Sequence, residues 1–392
     1  MLDENRVRAD IPVYGSGSDL VFLDSAGSSL PPRVVVDTVV AHLRREAEIG
    51  GYRAANERLD DLATVKTDIG RLINADPTSI ALSDSATRAW ADFFYSVPLA
   101  PGDRILISGA DYASNAIAAL QRAEATGAVV EQIPSDSSGQ IDLDALADMV
   151  DERVELVSVL HAPTNGGLVN PAAEATRIAH SVGALVLLDA CQSAGQLPID
   201  VAELDVDALS VTGRKWLRGP RGTGFLYVRP ELAASLEPQR LDLHSAQWTG
   251  PQQYSLAPDA SRFEFWECDV AARLGLGAAV RYLLELGPED VYDAIAARAE
   301  HLRKSLPEID GITVRDIGIR HSGIVSFTVD GKSAVEVRDR LAAQNITVTA
   351  SHASSTLLDM TARGLDSVVR ASPHCFVTFE ELDRFVGAVA TL

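Results

Sequence analysis

Lys215 lies in Val211-Thr212-Gly213-Arg214-Lys215-Trp216-Leu217, just ahead of Gly219-Pro220-Arg221-Gly222-Thr223-Gly224. Upstream, the apolar run Ala184-Leu185-Val186-Leu187-Leu188 ends in Asp189, followed by Ala190-Cys191-Gln192. An amine after one buried run and a carboxylate after another is the pair that pyridoxal 5'-phosphate (PLP) requires. The lysine takes the cofactor's aldehyde as a Schiff base, and the acid keeps the pyridine nitrogen protonated. A nucleophilic lysine must be neutral, so this one needs desolvation or nearby positive charge, which Arg214 and Arg218 could supply in part. The plain alternatives are a loop anchored by Arg214 and Lys215, and an Asp189 that caps a helix.

Other residues extend the pattern. Asp84-Ser85-Ala86-Thr87 precedes a helical stretch over Ala89–Val97. The free N–H groups and positive dipole end of such a helix start suit a phosphate, to which Thr212 could add a hydroxyl. Simple N-capping accounts for the same residues. Gln192 reads either as a donor to the cofactor's phenolic oxygen or as a capping-box glutamine. Tyr112 follows the Ile105–Ile107 run and could stack on a ring or fill the core. Arg370 interrupts the apolar run Val368-Val369-Arg370-Ala371. Its guanidinium could fork onto a substrate carboxylate or close a structural ion pair. Gly219–Gly224 lacks the Gly-Lys-Ser/Thr of a P-loop and reads as a tight turn.

The elements that must position these groups are legible as periodicity. Short apolar runs at 105–107, 129–130, 157–160, 184–188, 208–211 and 224–228 read as buried strands. Amphipathic segments around 113–126, 142–150 and 172–182 lie between most of them. Buried runs alternating with helices predict βαβ units and a mostly parallel sheet sandwiched by helices. Ligands of such sheets bind beyond the carboxyl ends of the strands. That edge collects Ser83–Thr87, His161–Asn165, Asp189 and Lys215. From residue 270 the pattern changes to one or two long helices up to 305. A strand near Gly323–Thr328, a helix near 333–343, short strands near Ile346–Val348 and Val368–Ala371 and a last helix from Glu380 follow. The expected division is an N-terminal arm over 1–20 that joins the small domain, a large PLP-binding domain over 21–285 and a small α+β domain over 286–392.

Composition bounds the function. With Lys+Arg 34 against Asp+Glu 55 the net charge is −21, which argues against nucleic acid or an anionic membrane surface as partner. Three cysteines, Cys191, Cys268 and Cys375, are too few and too scattered for a disulfide framework or a zinc site, and no metal is expected. The first residues carry no signal-peptide core, and no apolar stretch reaches the roughly 20 residues of a membrane span, so a cytoplasmic protein is expected.

Taken in order, these residues resemble the class V aminotransferase family of fold-type I PLP enzymes, which includes cysteine desulfurases, isopenicillin N epimerases and C–S lyases. The resemblance covers nearly the whole chain. It implies that Lys215 anchors the cofactor and that Asp189 meets its ring nitrogen. It further implies that Gln192 and Thr164 face the phenolic oxygen, and that Tyr112 stacks on the ring. Ala86, Thr87, Thr212 and Arg214 would surround the phosphate, with Arg214 where histidine is usual. Leu23-Asp24-Ser25-Ala26-Gly27 resembles the substrate-side loop, so Ala26 and Arg370 would face the substrate. A homodimer is implied, with an amino acid as substrate.

The departures narrow the activity. Cysteine desulfurases carry a catalytic cysteine on a mobile loop, and the matching stretch here, Thr349-Ala350-Ser351-His352-Ala353-Ser354-Ser355, has none. Where many relatives have a glycine–threonine pair that reaches the phosphate across the dimer, this chain has Phe263-Glu264-Phe265-Trp266-Glu267. Arg45-Glu46-Ala47-Glu48-Ile49-Gly50-Gly51-Tyr52 is similar to a segment of the C–S lyases of ergothioneine biosynthesis and of lyases and deaminases in lincosamide-type pathways. It suggests a flexible loop presenting Tyr52 to the substrate, with His352 as another substrate-side candidate; a helix-ending glycine pair is the alternative. The expected activity is a C–S β-lyase acting on a cysteine S-conjugate or sulfoxide to give pyruvate and ammonia. An aminotransferase, an epimerase or a decarboxylating oxidative deaminase is the alternative, and a desulfurase ranks lower.

Overall fold

The computed structural model describes residues 2–392. Its centre is a seven-stranded sheet in the order Ile80–Ser83, Gly224–Val228, Ala208–Thr212, Leu185–Asp189, Val154–Leu160, Arg104–Ser108, Val129–Ile133. Six strands run the same way and Gly224–Val228 runs against its two neighbours. The central strands are apolar on both faces because helices cover both. Leu156, Val157, Val159, Val186, Leu187 and Leu188 are all fully buried.

The reversed strand has a local cause. Residues 213–223 turn the chain back within a short loop, helped by Gly222 in the left-handed region at φ 75°. Gly224 then pairs with Thr212 on one side and Ser83 on the other. A Cβ there would stand 2.5 Å from the Val211 carbonyl oxygen and 3.2 Å from the Ala86 nitrogen. Only glycine lets the strand pass this close to the helix start beside it.

A second sheet of four antiparallel strands has the order Ile312–Val314, Val325–Val329, Ser367–Ala371, Thr349–His352. The helices Pro288–Ser305, Ala334–Ala342 and Phe379–Ala390 accompany it; Val337, Leu341, Leu382 and Phe385 are fully buried. The chain start joins the same region. Val21–Phe22 pairs in parallel with Ile346–Thr347, and Asp24 bridges to Ser372. The long helix Val270–Leu286 packs on Arg33–Ile49 and Leu59–Ile73 beside the large sheet.

The fold is the fold-type I PLP-enzyme architecture, with a mostly parallel central sheet. Two features lie outside the sequence reading. A two-stranded hairpin, Ala246–Gly250 with Gln253–Leu256, is largely exposed, Trp248 and Tyr254 included, and its strands are only five and four residues long. Gly50-Gly51-Tyr52 is no loop: Gly50, at φ 89°, ends the helix Arg33–Ile49, and Gly51 already begins the helix Gly51–Asn56. Among the described residues no helix is long and apolar enough to cross a membrane.

Candidate active site

The carboxyl ends of the strands Ile80–Ser83, Leu185–Asp189 and Ala208–Thr212 open on one cavity. Its lining brings together Ala86, Thr87, Tyr112, Thr164, Asp189, Gln192, Thr212, Arg214 and Lys215, together with Cys191. All nine residues expected to hold a cofactor therefore meet in one place. Tyr52 and His352 do not line it. Tyr52 is 74% exposed on its short helix, and the exposed His352 ends the strand Thr349–His352.

Lys215 sits in the turn after Ala208–Thr212. It keeps some access to the cavity but is walled in by protein, and this desolvation lowers its amine to about 8, with the Arg214 charge acting in the same direction. Arg214 spends one amino group on the Gly27 carbonyl oxygen and is itself held below the usual guanidinium range by burial. Asp189 ends its strand buried. Its Oδ1 accepts from the Cys191 N–H at 2.9 Å and its Oδ2 from Asn115 Nδ2 at 2.9 Å. Burial and the Asp189 charge push the neighbouring Cys191 thiol well up, so it stays protonated and a poor nucleophile.

At the other end of the cavity the helix Ala86–Phe94 begins, with Ser85 as its cap accepting from the Arg88 N–H at 3.3 Å. The free N–H groups of this first turn, with Thr87, Thr212 and Thr223 around them, form a cradle for an anion. Tyr112, the N-cap residue of Ala113–Thr126, stays 38% exposed at the mouth.

The substrate side converges on Thr164. Its Oγ1 accepts from Gln192 Nε2 at 3.1 Å and from Arg370 Nη1 at 2.7 Å. Gln192 also donates to the Ala26 carbonyl oxygen at 3.0 Å and accepts from Trp216 Nε1 at 3.0 Å. Its amide is thus fully engaged by the protein, and it reaches the phenolic oxygen of a cofactor only by exchanging one of these partners. Arg370 is buried. Its second amino group meets Asp24 Oδ1 at 2.9 Å, and its Nε has no partner among the described residues.

Sequence reasoning passed over two parts of this arrangement. Asn115 and Asp111 stand behind Asp189, and Asn165 ties down the segment after Thr349–His352. Asn165 donates to Thr356 Oγ1 at 2.9 Å and to the His352 carbonyl oxygen at 3.2 Å, and accepts from the Ser351 hydroxyl. The four-residue spacing of Asp111 and Asn115 at a helix start was the available signal; nothing in the sequence linked Asn165 to residues this far along the chain.

Residues 21–385 match the family model for class-V aminotransferases. A probable cysteine desulfurase of Halobacterium salinarum is 30% identical over 410 aligned positions, covering 99% of this chain and 96% of its own length. The apo structure of a cysteine desulfurase from Thermococcus onnurineus superposes with a TM-score of 0.89 at 25% identity, over 100% of this chain and 98% of that one. A cystine C–S lyase in complex with its product cysteine persulfide has the same fold, with a TM-score of 0.86 at 23% identity over 96% and 99% of the two chains. The sequence relatives matched along nearly the whole chain are named as cysteine desulfurases, not as the lyase and epimerase groups the sequence pointed to. The cofactor is PLP. The site residues fit it: an amine of lowered proton affinity, a buried carboxylate in the cavity lining, and a helix-start cradle kept open by Gly224.

Proposed function

This chain belongs to the class-V aminotransferase family of PLP-dependent enzymes, and we propose that it is a C–S lyase acting on an S-substituted cysteine. The overall reaction is R–S–CH2–CH(NH2)–COOH plus water giving R–SH, pyruvate and ammonia. The carrying observation is the segment 349–356. It holds no cysteine, and Asn165 pins it through Ser351, His352 and Thr356. A desulfurase needs a nucleophilic thiol that can reach the substrate sulfur. The one cysteine lining this cavity, Cys191, is held protonated by burial.

PLP, when bound, supplies an aldehyde for the substrate amine and a ring that takes up electron density from Cα. The protein's own groups do the rest. Lys215 would anchor the cofactor, and its amine, which burial lowers to about 8, would be the base for the Cα proton. Asp189 would hold a proton on the ring nitrogen. The helix start at Ala86 and Thr87 would hold the phosphate, with Thr212 and Arg214 beside it and Tyr112 against the ring. Arg370 would bind the substrate carboxylate through its unpartnered Nε and the amino group now on Asp24. Thr164, Gln192 and the Ala26 carbonyl would fix the arginine and the substrate-side loop. Tyr52 and His352 could act only if a partner subunit or a movement of the chain brought them to a cavity, and a homodimer is part of this reading.

The second reading is cysteine desulfurase, favoured by the names of the relatives, the first of them 30% identical. Supplying the holoenzyme with S-alkyl cysteines, cysteine sulfoxides, cystine and free cysteine separates the two. Pyruvate and ammonia from an S-substituted substrate support the lyase. Alanine formed from free cysteine, with sulfur passed to a protein thiol, would replace it with the desulfurase.

A further inference from the structure

Asp189 is one of two carboxylates beneath the cavity. The second, Asp111, lies at the start of the helix Ala113–Thr126, and Asn115 in the first turn of that helix joins them. The Asn115 Nδ2 amino group stands 3.1 Å from Asp111 Oδ1 and 2.9 Å from Asp189 Oδ2, one N–H for each acid. Two acids sharing one nitrogen lie no more than about 6 Å apart, within the reach of strong like-charge repulsion in a buried setting. Asp111, Asn115 and Asp189 are each more than nine-tenths buried, and Ser158 is fully so.

We infer that Asp111 is a positioning residue whose charge, delivered through the Asn115 bridge, fixes the Asp189 carboxylate and sets how tightly the cofactor's ring nitrogen keeps its proton. This rests on Asp189 facing that nitrogen, but not on which bond the enzyme breaks. The surroundings of Asp111 are accounted for on every side. Ser158, from the strand Val154–Leu160, donates to Oδ2 at 3.0 Å, and the Tyr112 N–H donates to Oδ1 at 2.9 Å. The charged group acting on it most is Asp189, at the end of the strand Leu185–Asp189; Lys215 and Arg214 line the same cavity. Burial, then the Asp189 charge, raise the Asp111 carboxyl to about 7. Its charge therefore changes near neutral pH. When Asp111 is ionised, the negative potential at Asp189 is larger and a proton on the ring nitrogen is held more tightly. When Asp111 is neutral, that proton is released at lower pH. A merely structural Asp111 would orient Asn115 equally well in either state.

The test uses holoenzyme reconstituted with PLP carrying 15N in the ring, read by the nitrogen chemical shift across a pH series, with the visible absorption band confirming loading. D111N keeps the shape and the acceptor for Asn115 but removes the charge. In D111N the ring nitrogen should lose its proton about one pH unit lower than in the wild type, a tenfold weaker proton affinity. Identical nitrogen titrations in loaded wild type and loaded D111N overturn the inference. If D111N does not load, S158A serves: removing the donor that favours ionised Asp111 should shift the nitrogen titration the same way by a smaller step. No shift in S158A overturns the inference equally. A wild type that forms no visible band at all contradicts the PLP reading itself, which keeps the two failures apart.

Discussion

Arg370 is clasped at both ends of its guanidinium: Nη1 donates to Thr164 Oγ1 at 2.7 Å and Nη2 to Asp24 Oδ1 at 2.9 Å. Asp24 therefore occupies the position that a substrate carboxylate would contest. Arg370→Lys loses the planar fork and should raise KM about 100-fold with a smaller change in kcat. Asp24→Asn, which removes the competing charge but keeps the shape, should lower KM. Steady-state kinetics on both variants check this; an Arg370→Lys enzyme with unchanged KM removes the arginine from substrate binding.

Lys215 is the only amine in the cavity lining, and burial lowers it to about 8. Only the neutral amine attacks an aldehyde. The rate at which apoprotein turns yellow on adding PLP should therefore rise with pH up to about 8 and level off above it. Lys215→Ala should form no such band. A rate that keeps rising toward pH 10 would place the amine in its ordinary range.

Asn165 holds the 349–356 segment with three hydrogen bonds at a buried site. Asn165→Ala leaves Thr356 and Ser351 without partners and should cost about 1–3 kcal/mol. Amide hydrogen exchange should accelerate over residues 349–356 while the strand Leu185–Asp189 stays protected. Unchanged exchange there would mean that packing alone holds the segment.

Asp111 carries a pH signature of its own. Its carboxyl is raised in the folded chain from 3.8 to about 7, so the folded state binds the extra proton between those values. Its contribution is favourable below about pH 4 and is lost as the pH rises through about 7. Relative to wild type, Asp111→Asn should gain stability with rising pH over that window, on the order of 4 kcal/mol at its top. Denaturant melts at several pH values check the sign; a constant difference contradicts it.

These tests also mark where the sequence was readable. Lys215, Asp189 and Thr87 were legible because each follows a buried apolar run, and strand ends of a parallel sheet share an edge. The reversed strand Gly224–Val228 was visible as a strand but not in its direction, which depends on a turn of a few residues. Asp111–Asn115–Asp189 was hidden because Asn115 and Asp189 are 74 residues apart. The loop expected at Gly50-Gly51-Tyr52 is absent because only Gly50 takes a positive φ and the helix resumes at once. Gln192 reads as a donor to the phenolic oxygen or a capping glutamine; that both its N–H groups go to Ala26 and Thr164 was not visible, because those residues lie far along the chain.

The most direct test is the fate of the carbon skeleton. Holoenzyme, wild type and Cys191→Ser, is given an S-substituted cysteine and separately free cysteine, and pyruvate and alanine are both quantified. Pyruvate should form in step with released thiol from the S-substituted substrate, with no alanine from either substrate and little loss in Cys191→Ser. Alanine from free cysteine, abolished in Cys191→Ser, would contradict it and make the chain a desulfurase with its thiol in the cavity wall.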